Sequence, residues 1–261
     1  MLSTIADYTR ISKDMGKSLS LTAKAPDVSR DNDYYLANIR KVKSIDDLFK
    51  DYRLYSYAMK AYGLGDMIYA KAFMRKVLTE GISNGNSFAN KLSDPRYREF
   101  AAAFNFAQLG SNATNTAAAT TGTATQYVQQ MMEQNAGDQN EGVRLALYFT
   151  RKAASIKTPY QILADKALTQ VAQTALGLSA TVSSADIDKQ AAMLSKMINI
   201  SDFQDPAKVT KFVQRFAAMW DASQAANDTS TNPALVLIGA TTTNGMDVDM
   251  LSKLQSIRLG R

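Results

Sequence analysis

The sequence contains no cysteine and no histidine among its 261 residues. Without cysteine it cannot form a disulfide, a zinc site with Cys ligands or a thiolate-held iron–sulfur cluster. Without histidine it lacks the commonest general base, the Ser–His catalytic pair and the side chain that titrates near neutral pH. An enzyme would have to use carboxylates, lysines, tyrosines or a bound cofactor. We therefore predict a non-enzymatic protein with no metal and no cofactor.

Long hydrophobic runs are absent as well. The most apolar run, Ala234 to Ile238, is far shorter than the ~18–20 residues that cross a bilayer, so no membrane span is predicted. Asp7, Lys13 and Asp14 interrupt any hydrophobic region near the start, so no cleavable signal peptide is predicted. We expect a cytoplasmic protein, or one that is exported without a cleaved signal.

Strand signals are scarce, whereas helical periodicity is strong. Alternating runs of Val, Ile and Thr are few, and the Asn-Gly pairs lie between helical patterns. The 46% hydrophobic content is enough for a sizeable core. The sequence therefore predicts an all-α, multihelical fold. The clearest apolar stripe, spaced as on one face of a helix, comprises Val209, Phe212, Val213, Phe216, Met219 and Trp220.

An internal repeat is indicated by matches that occur in the same order. Residues 43–64 match residues 157–178 at an offset of 114 positions. Residues 66–78 then match residues 186–198 at an offset of 120, which implies an insertion in the second copy. A third match follows at two Asp-Pro pairs. These matches predict two tandem, duplicated three-helix units.

Helix-start signals support this division of the chain. Asp94 and Asp205 each precede a proline, and a carboxylate N-cap before proline at the first helical position is typical of a helix start. The first helix of each unit is expected over residues 45–62 and 159–176. The predicted segments are an N-terminal amphipathic segment (1–33), a first helical unit (34–110), a linker and connecting helix (111–144), a second helical unit (145–224), and a polar linker with a C-terminal helix (225–261).

The chain is mildly basic, with a formal net charge of +6. A basic helical module that binds nucleic acid or another anionic surface is therefore an alternative function, and it requires a contiguous positive face. Acidic residues alternate with the basic ones along most of the sequence, as on ordinary solvated helices, which disfavours nucleic acid as a partner. The residues that such a face would include are Arg40, Lys41, Lys43, Lys50 and Arg53.

No catalytic constellation is found in the sequence. The acidic pairs Asp46/Asp47 and Asp186/Asp188 could supply a general acid and a general base. Both pairs lie at predicted helix starts, where carboxylates interact favourably with the helix dipole without any catalytic role. We therefore predict no catalytic, cofactor-binding or metal-binding residue.

The two ends of the sequence carry amphipathic patterns that the repeated units do not need for their own cores. A helix of ~15 residues is marginal in water and needs its apolar face covered. We predict that residues 1–33 pack weakly on the body and, together with residues 234–261, bind a partner protein. The residues predicted to make that contact are Ile5, Met15, Leu19, Leu251, Leu254 and Ile257.

The motif Ala-Leu-Tyr-Phe followed by Arg-Lys lies within residues 143–152 and continues into residues 162–168. With the Tyr-Gly-Leu at residues 62–64, it resembles the signature of a bacterial family of domains of unknown function, over about residues 34–220. The resemblance implies a multihelical protein of alphaproteobacteria that is often encoded among flagellar genes. Such a family has no established activity and assigns no catalytic residue. The resemblance implies a structural or assembly factor whose partners are other proteins, flagellar components among them.

Overall fold

The fold is given by a computed structural model that describes residues 3–178, 182 and 185–230. Within these residues all regular structure is helical and no β-strand occurs, which confirms the all-α, multihelical prediction. The α-helices are α1 (Thr4–Lys13), α2 (Met15–Ala23), α3 (Pro26–Asn38), α4 (Ile45–Lys50), α5 (Tyr52–Ala61), α6 (Lys71–Glu80), α7 (Phe88–Lys91), α8 (Pro95–Ala103), α9 (Phe106–Leu109), α10 (Thr123–Gln139), α11 (Glu141–Lys152), α12 (Pro159–Leu163), α13 (Lys166–Leu176), α14 (Ile187–Met197) and α15 (Pro206–Ser230).

The buried side chains form two clusters. The first takes its members from residues 28–128, and we call helices α3–α9 around it the first half. The second takes its members from residues 132–216 together with Tyr8 of α1, and we call helices α11–α15 the second half. Helix α10 contributes to both clusters, because Val128 belongs to the first and Met132 to the second. It therefore connects the two halves of the core.

The predicted aspartate caps are present at two helix starts. The carboxylate of Asp94 accepts the backbone N–H of Arg96 at 2.9 Å, and that of Asp205 accepts the N–H of Ala207 at 2.9 Å. Each bond satisfies a backbone donor that has no partner within the helix. Local sequence chemistry thus determines where α8 and α15 begin.

The first helix of each predicted unit is divided in two, which corrects the expected continuous helices. Helix α4 ends one residue before Asp51, and α12 ends two residues before Asp165. Both aspartates accept a backbone N–H of the helix that follows. Their short carboxylates compete with helical hydrogen bonding and favour a new helix start, so the chain turns at these positions.

Matched hydrogen bonds occur at the predicted offset of 114 residues. The Tyr34 hydroxyl donates to Asp51 at 2.8 Å, and the Tyr148 hydroxyl donates to Asp165 at 2.5 Å. These bonds agree with the register of the predicted repeat. The duplication of the whole unit stays a prediction.

Helices α5 and α13 both end next to a glycine with a left-handed backbone conformation. Gly63 and Gly177 have φ values of 69° and 65°, in the left-handed region that favours glycine. The N–H of the following leucine donates to the carbonyl five residues before it, at 2.8 and 2.9 Å respectively. This arrangement satisfies carbonyls at the helix end and turns the chain.

The segment predicted as a linker is largely helical and partly buried, which corrects that expectation. Residues 110–115 form a 3₁₀-helix, and a π-helical turn follows before α10. The buried Thr114 hydroxyl donates to the carbonyl of Val42 at 2.7 Å, and the Tyr35 hydroxyl donates to the carbonyl of Ala119. Small side chains let this backbone approach the first cluster closely. Composition alone does not distinguish such a closely packed helical segment from a loop.

The N-terminal segment is anchored to the second half, so the prediction of weak packing is wrong. Thr4 and Tyr8 are buried. The backbone N–H of Thr4 donates to both carboxylate oxygens of Asp221, at 3.1 and 3.0 Å. The hydroxyls of Tyr8 and Thr150 are hydrogen bonded at 2.9 Å. Helix α1 therefore covers α11 and α15 instead of being left for another chain.

A close approach at Gly142 locks this arrangement. A Cβ atom at Gly142 would lie 2.5 Å from Cδ1 of Trp220 and 2.8 Å from Oγ1 of Thr4. Glycine is therefore required where α1, α11 and α15 meet.

The predicted partner contacts differ in their exposure. Met15 and Leu19 are partly buried against the core clusters, and their role in binding a partner stays a prediction. Ile5 is 37% exposed, and its role in binding a partner stays a prediction. Helix α15 continues through residues 225–230, where a polar linker was expected. The other predicted contacts, Leu251, Leu254 and Ile257, lie outside the described residues, as does the rest of the segment 234–261.

None of the described helices is both long and apolar enough to cross a membrane.

Candidate functional site

A polar cleft lies between the first and the second half. Its volume is about 490 Å³, within the range of ~300–1,000 Å³ that is typical of small-molecule sites. The end of α5, the start of α8, and helices α10, α11 and α13 contribute its walls. Its charged and phenolic lining comprises Tyr62, Asp94, Arg96, Glu99, Glu141, Arg144, Tyr148, Arg151, Lys152, Asp165 and Lys166.

Arg96 ties the start of α8 to the end of α5 on one wall of the cleft. Its guanidinium donates to Oδ2 of Asp94 through Nε at 2.9 Å and Nη2 at 2.7 Å, and Nη1 donates to the carbonyl of Gly63. Burial disfavours the charged guanidinium, but the hydrogen bonds and negative charge of Asp94 outweigh burial and raise the pKa of Arg96. Arg96 therefore stays charged and fixed in place.

Glu133 and Arg151 form a buried ion pair beneath the cleft. Glu133 is 1% exposed, and its two carboxylate oxygens accept Nε and Nη2 of Arg151 at 2.6 and 2.7 Å. This bidentate geometry is the strongest form of such a pair. Burial disfavours the charge of Arg151, but the bonds to Glu133 raise its pKa overall. The pair connects α10 with α11.

Two further contacts join elements across the cleft. Lys152 of α11 donates through Nζ to both carboxylate oxygens of Glu99 of α8, at 2.7 Å each, and so connects the second half to the first. Tyr148 of α11 donates to Asp165, which caps α13. Burial, with the negative charge of Asp165, raises the pKa of the Tyr148 hydroxyl.

Buried tyrosines make the stability of the fold sensitive to alkali. Burial raises the pKa of Tyr55 from 10.0 to about 12, and it raises the pKa values of Tyr35, Tyr57 and Tyr127 as well. The folded state thus retains these protons more tightly than the unfolded chain. The corresponding stability is complete below about pH 10 and is lost as the pH rises toward 12. When the pH is raised, the tyrosinate absorbance should increase over the same pH range in which the helical circular dichroism signal is lost. Ionisation of the buried tyrosines with helix content unchanged would contradict this.

The cleft contains no uncommitted acid–base pair. Each carboxylate in its lining has a cation or a hydroxyl group as its partner. Asp94, Glu99 and Asp165 have the partners described above, and Glu141 accepts a hydrogen bond from Nε of Arg144 at 2.7 Å. General acid–base catalysis needs a group that can take or give a proton to a substrate, whereas these carboxylates bind protein groups. In the part of the chain that the structure describes, no three acidic side chains come close enough to hold a metal ion. The arrangement therefore fits a junction that holds the two halves together.

The acidic pairs singled out in the sequence lie elsewhere. Asp46 forms an ion pair with Arg75 at 2.5 Å, and Asp186 caps α14 by accepting the N–H of Asp188 at 2.9 Å. None of these residues, nor Asp47, lines the cleft. The structure thus places them at helix starts, where the sequence pattern put them.

The basic residues of the alternative function are exposed but mixed with acids. Arg40, Lys41, Lys43, Lys50 and Arg53 all lie on the surface. Arg53 is neutralised by Asp31 at 2.9 Å and stacks over the ring of Tyr34. Carboxylates of α4 and of its caps lie among the lysines, so these residues form a mixed-sign surface and not a positive stripe.

Comparison with known proteins identifies the family. The sequence model of the family described as "Protein of unknown function (DUF1217)" matches residues 61–209. The chain belongs to this family. The DUF1217 match includes every residue that lines the polar cleft. It confirms that the chain is a member of a family of domains of unknown function.

A solved structure supports the fold of this DUF1217 member. The chain is similar to a protein of Agrobacterium tumefaciens, an alphaproteobacterium, whose X-ray structure was determined in a structural genomics programme. The two are 54% identical, and the match covers 85% of this chain and 96% of the other, with a TM-score of 0.78. No curated protein matches the chain.

A second candidate site was not found from the sequence. We call it the α12–α14 surface, and it comprises Pro159, Tyr160, Ile187 and Met197. Tyr160, Ile187 and Met197 are 49%, 53% and 47% exposed. A single exposed apolar side chain is ordinary, whereas these three belong to two helices that pack against each other. The signal that could have found it is the apolar pair Pro159-Tyr160 at a helix start, where side chains usually face solvent.

Proposed function

We propose that this DUF1217 member is a non-enzymatic helical protein that binds protein partners, as a structural or assembly factor associated with the flagellum. The observation that carries the proposal is the α12–α14 surface, where exposed apolar side chains are held on well-packed helices. Partner-binding surfaces have this character, because apolar area that stays exposed in the free protein is buried in the complex. The partners are proteins, flagellar components among them.

The non-enzymatic part of the proposal is supported by the polar cleft. Its carboxylates are engaged by Arg96, Arg144, Lys152 and Tyr148. A residue that must exchange protons with a substrate has to present a free oxygen to it, and these carboxylates present theirs to protein groups. The cleft thus serves to fix the relative position of the two halves.

The flagellar part of the proposal is supported by the family resemblance. The motifs within residues 143–168 resemble a family that is often encoded among flagellar genes. We propose a cytoplasmic location, or export without a cleaved signal, since flagellar components can leave the cell through a dedicated channel. Both locations are compatible with a structural or assembly factor.

Deletion of the gene in the organism that encodes it tests this proposal. We expect reduced swimming and fewer flagella, both restored by the wild-type gene, and a tagged chain that is found with purified flagella or cross-linked to a flagellar component. Glu99→Gln removes one carboxylate charge of the cleft at an exposed position and should restore swimming fully. Full motility of the deletion strain, with no tagged chain in either fraction, would overturn the flagellar role. Failure of Glu99→Gln to restore swimming, in a chain that is folded and abundant, would argue for chemistry in the cleft.

A further inference from the structure

The polar cleft carries hydrogen-bond donors that the junction between the two halves does not use. Both oxygens of every carboxylate in its lining accept hydrogen bonds from protein groups; these carboxylates belong to Asp94, Glu99, Glu141 and Asp165. By contrast, Nη1 of Arg144, Nη1 of Arg151 and Nζ of Lys166 donate to no other group among the described residues. A bound molecule therefore finds free donors in the cleft, whereas the acceptors are already engaged.

Two of these donors flank Tyr148 on one face of α11. Positions 144, 148 and 151 are spaced by four and three residues, which makes their side chains neighbours on the helix surface. The guanidinium carbon of Arg151 lies 5.0 Å from the centre of the Tyr148 ring. The Tyr148 hydroxyl reaches Asp165 at 2.5 Å, and Lys166 follows Asp165 in the chain. The cleft thus receives cationic groups from α11 on one side and from the start of α13 on the other.

Lys166 is the lining cation that lacks a carboxylate partner among the described residues. The other lining cations are paired, Arg96 with Asp94, Arg144 with Glu141, Arg151 with Glu133 and Lys152 with Glu99. Asp165 precedes Lys166, but adjacent residues of a helix do not face each other. Asp165 instead accepts Tyr148 and caps α13. The Lys166 ammonium group is therefore available to a negatively charged ligand.

Amide side chains add further hydrogen-bonding groups. Gln126, Gln130 and Gln170 line the same cleft. Oε1 of Gln130 accepts Nη2 of Arg151 at 3.3 Å, which leaves the amide nitrogen of Gln130 for a ligand. Gln126 and Gln170 make no side-chain hydrogen bond to a described residue. Because an amide both donates and accepts, these side chains suit the hydroxyl groups of a polar molecule.

The cations of the cleft are not required for the hydrogen bond between Tyr148 and Asp165. At the predicted offset of 114, Tyr34 and Asp51 make the same bond in the first half. The corresponding positions there hold uncharged residues, since Ala37, Asn38 and Tyr52 stand where the second half has Arg151, Lys152 and Lys166. Packing of this local structure therefore does not account for the lysine at position 166.

We propose that the polar cleft binds a small hydrophilic molecule through a phosphate-type oxyanion, held by Nζ of Lys166 and Nη1 of Arg144 and Arg151. This inference goes beyond the proposed function. Guanidinium groups match phosphate geometry, and their hydrogen bonds to an oxyanion are charge-assisted. A tetrahedral phosphate accepts from donors in several directions, as donors on two different helices require, whereas a planar carboxylate has only two oxygens. The glutamine amides then bind hydroxyl groups of the remaining part, so the ligand class is a phosphate ester of a small polyhydroxylated compound.

Inorganic phosphate is the probe that tests this inference on the full chain. Isothermal titration calorimetry, at an ionic strength held constant with sodium chloride, should show saturable binding of phosphate at millimolar concentrations. Glucose, which has hydroxyl groups but no charge, should bind at least about ten-fold more weakly. Lys166→Gln and Arg144→Gln should each weaken phosphate binding by about ten-fold or more, because each removes a charge-assisted hydrogen bond. Both side chains are accessible to solvent, so neither substitution leaves a buried cavity.

Lys211→Gln is the matched control. It removes the same charge from an exposed lysine of α15 that does not line the cleft. It should leave the affinity for phosphate unchanged, and circular dichroism should show all variants folded; if Arg144→Gln does not fold, Lys166→Gln decides. Absence of saturable phosphate binding, equal affinity for glucose, or an equal loss in the Lys211 variant would overturn the inference. The deletion experiment on swimming does not depend on phosphate, so failure here is distinguishable from failure of the proposed function.

Discussion

Replacing Arg151 by methionine is expected to lower the free energy of unfolding by about 3–5 kcal/mol. The substitution leaves the Glu133 carboxylate, which is 1% exposed, without the cation that accounts for its two shortest hydrogen bonds. Burying an unpaired charge costs far more than the pair itself contributes, since the desolvation of Glu133 is then uncompensated. Urea denaturation followed by circular dichroism measures the change.

The exposed pair Arg75–Asp46 supplies the matched control. Arg75→Met should change the stability by only about 0–1 kcal/mol, because both side chains of this pair are solvated. The double variant Arg151→Met, Glu133→Leu should regain much of the lost stability, because it removes the orphaned charge. An Arg151 variant as stable as the Arg75 variant would show that Glu133 does not depend on its partner.

The substitution Phe216→Ala is expected to destabilise the protein by about 3–5 kcal/mol. Phe216 is fully buried in the second cluster, and its ring lies 5.7 Å from that of Trp220. Removing the ring forfeits its transfer free energy and leaves a cavity on the face of α15 that packs on α11 and α13. Met219→Ala, on the exposed face of the same helix, is the control. Thermal and urea unfolding measure the change in stability of both variants. If Phe216→Ala and Met219→Ala lower the free energy of unfolding by similar amounts, the burial of Phe216 does not stabilise this core.

Features determined by neighbouring residues were predictable from the sequence. The caps at Asp94 and Asp205 and the helix ends at Gly63 and Gly177 depend on side chains within a few positions. The apolar stripe of α15 shows which face is buried, because its period is that of a helix. Phe216 is buried as this stripe predicts, while Phe212 and Trp220 are partly buried.

Features that depend on distant residues were not predictable in this way. Periodicity shows that Tyr8 and Met15 need a partner, but it does not say whether this partner belongs to the same chain. The cleft joins Lys152 to Glu99, which are 53 residues apart, and no local pattern indicates such a pair. Residues 110–122 show a different difficulty, because alanine, threonine and glycine serve equally in loops and in closely packed backbone.

The anchoring of α1 has a consequence for synthesis on the ribosome. Thr4 and its partner Asp221 are 217 residues apart, so α1 is synthesised long before part of its binding site. At ~5–20 residues per second, on the order of 10–40 s pass before α15 exists. The cluster of the first half needs residues only up to Val128 and can form during that interval. Folding is therefore sequential along the chain in the first half, while the second core closes only when the nascent chain brings its beginning back to α15.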